Sequence, residues 1–451
     1  LTSETADDLV ARLDSFDASE RRHALQRLAA SARSTRPVPG REVNLHCHTF
    51  FSYNAYGYSP SRFAWEAGQR GLEVAGIVDF DVMDGVVEFH EAGRLLGLKT
   101  VAGLETRVFI AQYHDRITNS PHEPGISYLP VAGLTQPPSP GTDADRVLRS
   151  MAERARRRNI RMAERVNAFL DPVTIDYEAD VLPLTPAGNA TERHMLVAYE
   201  RRAREVMPDP GDLAAFWSEK LREPLEQVRA VLDDPVALKE LMRARLMKYG
   251  GVGYAAPQKA NFPALDEVVR MTLDCGGVPT IGWLDGTNDG EKDPEELFRF
   301  LMGKGLPMLT VVPDRNWNLR DPAEKAAKVD HLHEAMAVAD RLELPVIVGT
   351  EMNKHGQKFV DTFDAPELAP YRDVFLNGAR IAWGHTLLRM TAGVGFAGAW
   401  VERWFGGDAA RRNAFFCAVG ALPYPGGEQC DRLARAGQDA SPETLCGVLG
   451  L

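Results

Sequence analysis

Short β-branched runs alternating with helix-periodic segments constrain this chain most. VAGIVDFD at 74–81 and TVAGLETRV at 100–108 each follow a segment of helical spacing. The pattern returns late in the chain as VPTIGWL, PMLTVVP, LPVIVGTEM and ARIAWGH, with helices expected near 293–305 and 322–342. Parallel strands joined by helices bring their carboxyl ends to one rim of a sheet or barrel, so residues at successive strand ends meet there. Residues 143–250, between the two parts, read as helical apart from a short interruption near 173–183. The expected architecture is one α/β barrel, built from 41–142 and 251–395, carrying 143–250 as a large helical insertion. An amphipathic helical lead, 1–40, precedes it, with Leu9, Leu13, Phe16, Leu25 and Leu28 spaced for one face before the turn-rich 35–40. A helical segment, 396–451, follows it.

Within this frame NLHCHT at 44–49 sets His46 and His48 two residues apart in the stretch 42–51. On a strand both imidazoles point to the same face, where they can grip one metal ion, while Cys47 between them faces away. The next two runs end in acidic residues, Asp79 and Asp81 in the first and Glu105 in the second. Two histidines and two carboxylates are thereby expected at one rim.

The array HCHT, a serine-containing loop with Tyr58-Ser59-Pro60, GIVDFD and GLE resembles the first three motifs of the PHP (polymerase and histidinol phosphatase) superfamily of metal-dependent phosphoesterases. EMN at 351–353 and WGH at 383–385 are similar to a branch of bacterial PHP-domain proteins of about this length. The likeness is close over 41–110 and fainter over 278–390. It implies a distorted (β/α)7 barrel of TIM-like type and a site for one to three divalent ions. Carried onto this chain, the metal ligands are His46, His48, Glu105 and His385, with Asp79 beside them as ligand or neighbour. His122, from the loop after the third strand, is a further candidate ligand. Three positions depart from the family pattern. Phe80 and Trp283 stand where the family has histidines, with Asp285 near the second as a substitute, and Trp383 takes the place of an aspartate. On the same resemblance Glu105, Asp79 and His385 are the residues expected to take part in catalysis.

Other candidates come from position. Glu351, Asn353 and His355 follow the apolar strand LPVIVGT at its carboxyl end, and Glu351 is counted among the possible ligands. Arg107 and Arg315 lie at or just past strand ends, where each can clamp a phosphate bidentately or pair with a neighbouring carboxylate. In NATERHML, 189–196, Thr191 is an N-cap candidate, and Arg193 and His194 fall in the first helical turn, a place that favours anions. The run 146–165 carries eight arginines against two glutamates. It reads as a solvated helix face, or as a lid that attracts phosphate. His23, His90, His331 and His333, on amphipathic helices, read as surface or packing residues.

Composition limits the partners. With 52 basic and 63 acidic residues the formal charge is −11, which opposes a generic affinity for nucleic acid or anionic membrane while allowing a local basic pocket. The 44% hydrophobic content of 451 residues is ample for a large core. Five cysteines form neither a CxxC pair nor a dense disulfide framework, which suits a reducing cytosol. No signal-peptide pattern opens the chain, and no run of about 18 apolar residues lacks charges, so a cytoplasmic protein is expected. Leu1 in place of a methionine points to an incomplete or processed start.

The chemistry these parts imply is hydrolysis of a small phosphate ester. An ion held by imidazole and carboxylate lowers the pKa of water from about 15.7 toward roughly 7, and an arginine offsets phosphoryl charge. Mixed imidazole and carboxylate ligands suit zinc, manganese or iron. Two other readings stay open. Phe80, Trp283 and Trp383 fit a PHP-like scaffold that binds a ligand or partner without turnover, and the same metal site fits an amidohydrolase that cleaves an amide.

Overall fold

The computed structural model describes residues 4–32 and 37–451. Among these residues eight strands form two sheets. The first contains β1 (Val43–Cys47), β2 (Val74–Phe80), β3 (Lys99–Phe109), β4 (Ile126–Leu134) and β5 (Val278–Pro279), in that order. The second contains β6 (Ile281–Trp283), β7 (Leu309–Val311) and β8 (Val346–Val348). β1, β2 and β3 are parallel, joined by the helices Pro60–Gln69 and Val86–Leu96. β6, β7 and β8 are also parallel, joined by the helices Pro294–Gly303 and Pro322–Arg341. Helices cover such strands on both faces, so β1 is buried throughout and β2 is buried except at Phe80.

β4 runs antiparallel to both β3 and β5. The physical reason lies in the connection, since 110–125 holds only a single 3-10 turn, and a parallel return needs a crossover of a dozen or more residues, usually helical. The amino end of β4 therefore lies beside the carboxyl end of β3, with Tyr128 opposite Arg107.

Backbone hydrogen bonds join the two sheets at two places. At one, Thr280 N–H donates to Pro130 C=O at 2.9 Å, between β4 and the chain that leads from β5 into β6. At the other, Glu351 N–H donates to His46 C=O at 2.7 Å and His48 N–H donates to Glu351 C=O at 2.8 Å. Gly349 makes the second seam possible, because a Cβ there would collide with the backbone of His46.

ARIAWGH is not a strand. It lies inside the helix Arg372–Thr391, most of which is buried. A short apolar run buried on all sides has no periodicity that separates strand from helix. Gly378 and Gly384 let this helix press against the backbone of β8 and of the helix Ala409–Ala421.

One hydrophobic core runs from Leu9 through the strands to Leu449. A second, from Ala163 to Met247, belongs to the helices of 143–250. The helix Asp143–Leu170 enters both, with Ala144, Met151 in the first and Ala163, Val166, Leu170 in the second. The interruption expected near 173–183 contains a π-helical turn, Tyr177–Val181. In the lead, Leu9, Leu13, Leu25 and Leu28 are buried, whereas Phe16 is 52% exposed with its ring edge against Phe50. Of the turn expected at 35–40, residues 35 and 36 lie outside the described residues. Among the described residues no helix is long and apolar enough to cross a membrane.

Candidate metal centre

His46 is the fourth residue of β1, and His48 follows the strand's end, so the two-residue spacing turns both rings toward the same interior space. Cys47 between them is buried in the main core. Glu105, on β3, reaches the same space from across β2. Its Oε2 lies 3.7 Å from His46 Nε2 and 3.4 Å from His48 Nε2, and one ligand atom from each residue falls within 4.8 Å of the others. All three side chains are buried.

What distinguishes this group is its unmet hydrogen bonding. Among the described residues, His46 Nδ1 and Nε2 and His48 Nε2 are buried with no hydrogen-bond partner, and so is Glu351 Oε2. Glu351 follows β8, and its backbone holds it there through the seam with His46 and His48. Its φ of 64° and that of Met352, 53°, fall in the left-handed region, where residues other than glycine are strained. Glu351 Oε1 pairs with Arg315 Nη2 at 2.5 Å, from the short helix Asp314–Trp317.

The electrostatics follow from this packing. Burial opposes charge on Glu105, but the imidazoles of His46 and His48 more than offset it and hold the carboxyl well below its usual range. Burial likewise opposes the His46 imidazolium, and Glu105 with Glu351 raises its pKa above the ordinary value. Glu351, disfavoured as an anion by burial, is held below its ordinary value by Arg315 and His46. The donor set is thus two imidazoles and the Glu105 carboxylate gathered in a buried space, with the unpartnered Glu351 Oε2 buried at the end of β8 beside them. That arrangement fits a divalent cation.

Asp79 stands behind His48 rather than in the group. Its carboxylate accepts from Thr49 N–H at 2.8 Å, from Thr49 Oγ1 at 2.6 Å and from Ser52 Oγ at 2.6 Å, so its oxygens are committed. Phe80 stacks on the His48 ring with centroids 4.3 Å apart.

His385 departs most from expectation. Its Nδ1 accepts from Phe396 N–H at 2.8 Å, and its Nε2 donates to Gly133 C=O at 3.1 Å. Both ring nitrogens are occupied, and burial pushes its pKa down to about 4. Gly133, with φ of 72°, sits so close that a Cβ would overlap the imidazole. His385 is a neutral packing residue, not a ligand and not a catalytic group. Asp285 is also taken, accepting from Thr287 N–H and Oγ1 and pairing with Lys328 at 3.0 Å. His122 is exposed, with its ring stacked on Tyr249 at 4.4 Å, outside the buried group.

The residues considered for substrate divide. Arg315 borders the group through Glu351. Arg107 lies two residues past Glu105 on the same face of β3 and pairs with Glu123 at 2.9 Å. Arg193 pairs with Glu240 at 2.6 Å, and its guanidinium lies 5.6 Å from the centre of the Tyr53 ring. His194 Nδ1 accepts from Thr191 N–H at 3.0 Å, closing the helix cap, and burial lowers its pKa to about 4. Asn353 is half-buried just beyond Glu351, and the exposed His355 rests edge-on against Tyr56.

Several neighbours were not singled out from the sequence. Ser52 links His48 Nδ1, 3.2 Å away, to Asp79. Asn189 donates to the carbonyls of Phe51 at 3.0 Å and Phe80 at 2.8 Å, fastening the helical segment to the strand ends beside the group. Tyr128 on β4 stands opposite Arg107, and Arg158 on the helix Asp143–Leu170 comes within 3.9 Å of Asp81. Only the antiparallel register of β4 reveals Tyr128, and nothing in the arginine-rich run marks Arg158 apart from its neighbours.

No family model matches the chain, and no curated protein matches it. Two solved structures are similar in fold at low identity. One is an amidohydrolase from Chromobacterium violaceum with bound sulfate and no metal; it is 17% identical with a TM-score of 0.45, over 70% of this chain and 88% of that one. The other, from Bifidobacterium adolescentis, is provisionally described as a metal-dependent phosphoesterase; it is 17% identical with a TM-score of 0.44, over 75% of this chain and 98% of that one.

Proposed function

We propose that this protein is a metal-dependent hydrolase of small phosphate esters on a PHP-type α/β barrel, its two sheets closed through the seams at Thr280 and Glu351. The observation that carries the reading is the buried group of His46, His48 and Glu105, in which nitrogens of both histidines have no partner among the described residues, as is true of Glu351 Oε2 nearby. An unmet buried polar group costs roughly 1–3 kcal/mol, so several in one space call for a ligand that satisfies them together. Zinc, manganese or iron would be held by His46, His48, Glu105 and Glu351. When bound, such an ion supplies Lewis acidity and a water of lowered pKa.

The chain's own residues do the rest. Asp79 and Ser52 hold His48 with its Nδ1 proton directed away from the site. Arg315, anchored by Glu351, presents its remaining N–H groups to phosphoryl oxygens, where a planar fork matches the geometry. The helices of 143–250 cover this rim through Asn189 and limit access of water. The free cysteines suit a cytoplasmic setting.

A second reading has its own observation. Phe80 stacked on His48 puts an aromatic ring where the PHP resemblance implies a ligand, as a binding scaffold without turnover would have. Elemental analysis of the purified protein, followed by a screen of phosphomonoesters, phosphodiesters and amides with added manganese or zinc, separates them. Bound metal with hydrolysis of a phosphate ester supports the proposal. Bound metal with amide cleavage alone, or no metal and no turnover, overturns it.

A further inference from the structure

Arg107 and Arg158 come from different parts of the chain and meet at one aromatic ring. Arg107 projects from β3, and Arg158 from the helix Asp143–Leu170. Their guanidinium carbons lie 4.9 Å and 4.8 Å from the ring centre of Phe262, which is itself buried. Arg107 also faces the ring of Tyr128 at 5.9 Å.

The two cations are unequally matched: burial opposes the charge of Arg107, but Tyr128, Glu123 and Asp81 more than offset it and raise its pKa, whereas Arg158 lacks a close counter-ion. Arg107 spends Nη1 on Glu123, and among the described residues its Nε and Nη2 make no hydrogen bond. Arg158 spends Nη1 on the carbonyl of Asn261 at 2.6 Å, and its nearest carboxylate, Asp81, is 3.9 Å away. Asp81 already accepts from Thr106 at 2.5 Å. Burial, with the charge of Arg107 next in weight, brings the pKa of Arg158 down to about 10, as a guanidinium short of a counter-ion should show.

Their place relative to the metal centre follows from the strand. Glu105 and Arg107 are two residues apart on β3, on one face and about 6.7 Å apart along it. We propose that Arg107 and Arg158 form a second oxyanion subsite, so that the substrate carries two anionic groups, one phosphate at His46, His48 and Glu105 and another held against Phe262. The inference rests on the phosphoesterase reading for its first phosphate. The subsite is assembled only when the helical segment is docked, because Arg158 belongs to that segment and Arg107 to the sheet.

Two probes differ only in the second charge: butyl phosphate and 1,4-butanediol bisphosphate. Binding of each to the metal-loaded full chain is measured by calorimetry. The bisphosphate is expected to bind at least about tenfold more tightly, beyond the factor of two that its symmetry provides. In Arg158→Gln the ratio should fall toward two, with butyl phosphate affinity little changed. Arg158→Lys keeps the charge, loses the fork and should give an intermediate ratio; it serves also if the glutamine variant fails to fold. A wild-type ratio near two, or a ratio unaltered by both substitutions, overturns the inference. Hydrolysis is scored separately. Bisphosphate preference without turnover of any ester overturns the proposed reaction and leaves the subsite standing, whereas turnover of monoesters without preference does the reverse.

Discussion

Ser52 Oγ sits 3.2 Å from His48 Nδ1 and donates its proton to Asp79 at 2.6 Å. Because the hydroxyl proton is committed to the carboxylate, the imidazole donates from Nδ1 and keeps its lone pair on Nε2, the nitrogen that faces Glu105. Asp79 therefore acts on the centre through a serine and fixes a tautomer.

Removing that bridge should weaken the metal site without emptying it. Ser52→Ala is expected to reduce metal affinity by about 10- to 100-fold, the usual effect of losing the group that orients a ligating histidine. Competition with a chromogenic chelator measures it. An unchanged affinity would mean that His48 is not a ligand.

The ligands themselves can be tested together. His46→Ala with His48→Ala should abolish bound metal by elemental analysis, while circular dichroism and gel filtration remain those of the folded chain. Metal retained at the original stoichiometry would place the site elsewhere.

Arg315 should matter for phosphate and not for metal. Its pairing with Glu351 leaves other N–H groups free for an oxyanion, and a charge-assisted hydrogen bond contributes about 1.5–3 kcal/mol. Arg315→Ala is expected to weaken inorganic phosphate binding by roughly 10- to 100-fold in calorimetry, with metal content unaltered. Loss of the metal in this variant would instead make the arginine a support for Glu351 alone.

His385 predicts the opposite pattern. His385→Gln should leave metal content as it is and lower stability, because the backbone groups of Phe396 and Gly133 lose their partners. The native imidazole has a pKa of about 4 against 6.5 in the unfolded chain. Between those values the unfolded chain binds more protons than the folded one, so stability falls as pH drops through this window. No stability is lost above pH 6.5, and the loss reaches about 3 kcal/mol once the pH is below 4. Denaturant titrations at pH 7 and pH 5 should show a smaller pH dependence in the variant than in the parent. Equal dependence in both would show that His385 titrates normally.

The expectations that survived contact with the tertiary structure have local causes. His46 and His48 share a direction because strand geometry alternates every residue, and Glu105 reaches them because β3 is parallel to β2. Asp79, Asp285 and His385 stand at positions the family pattern marks, but their hydrogen-bonding capacity is used by Thr49 and Ser52, by Thr287 and Lys328, and by Phe396 and Gly133. Composition and spacing carry no information about which partners will arrive from elsewhere. ARIAWGH failed for a related reason, since a fully buried apolar run looks alike in either secondary structure.

By itself, then, the sequence determined the short-range facts: the strand and helix alternation, the facing of His46 and His48 away from Cys47, the Thr191 cap and the helical character of 143–250. Only the tertiary structure decided what depends on contacts between distant segments. It brought Glu351 between His46 and His48 through a backbone seam that Gly349 permits, reversed β4 so that Tyr128 stands opposite Arg107, and set Arg158 beside that pair on Phe262. Local propensity acts over a few residues. The charge and hydrogen-bond balance of a buried site is set by groups that approach from hundreds of residues away, and it exists only once the chain has closed around it.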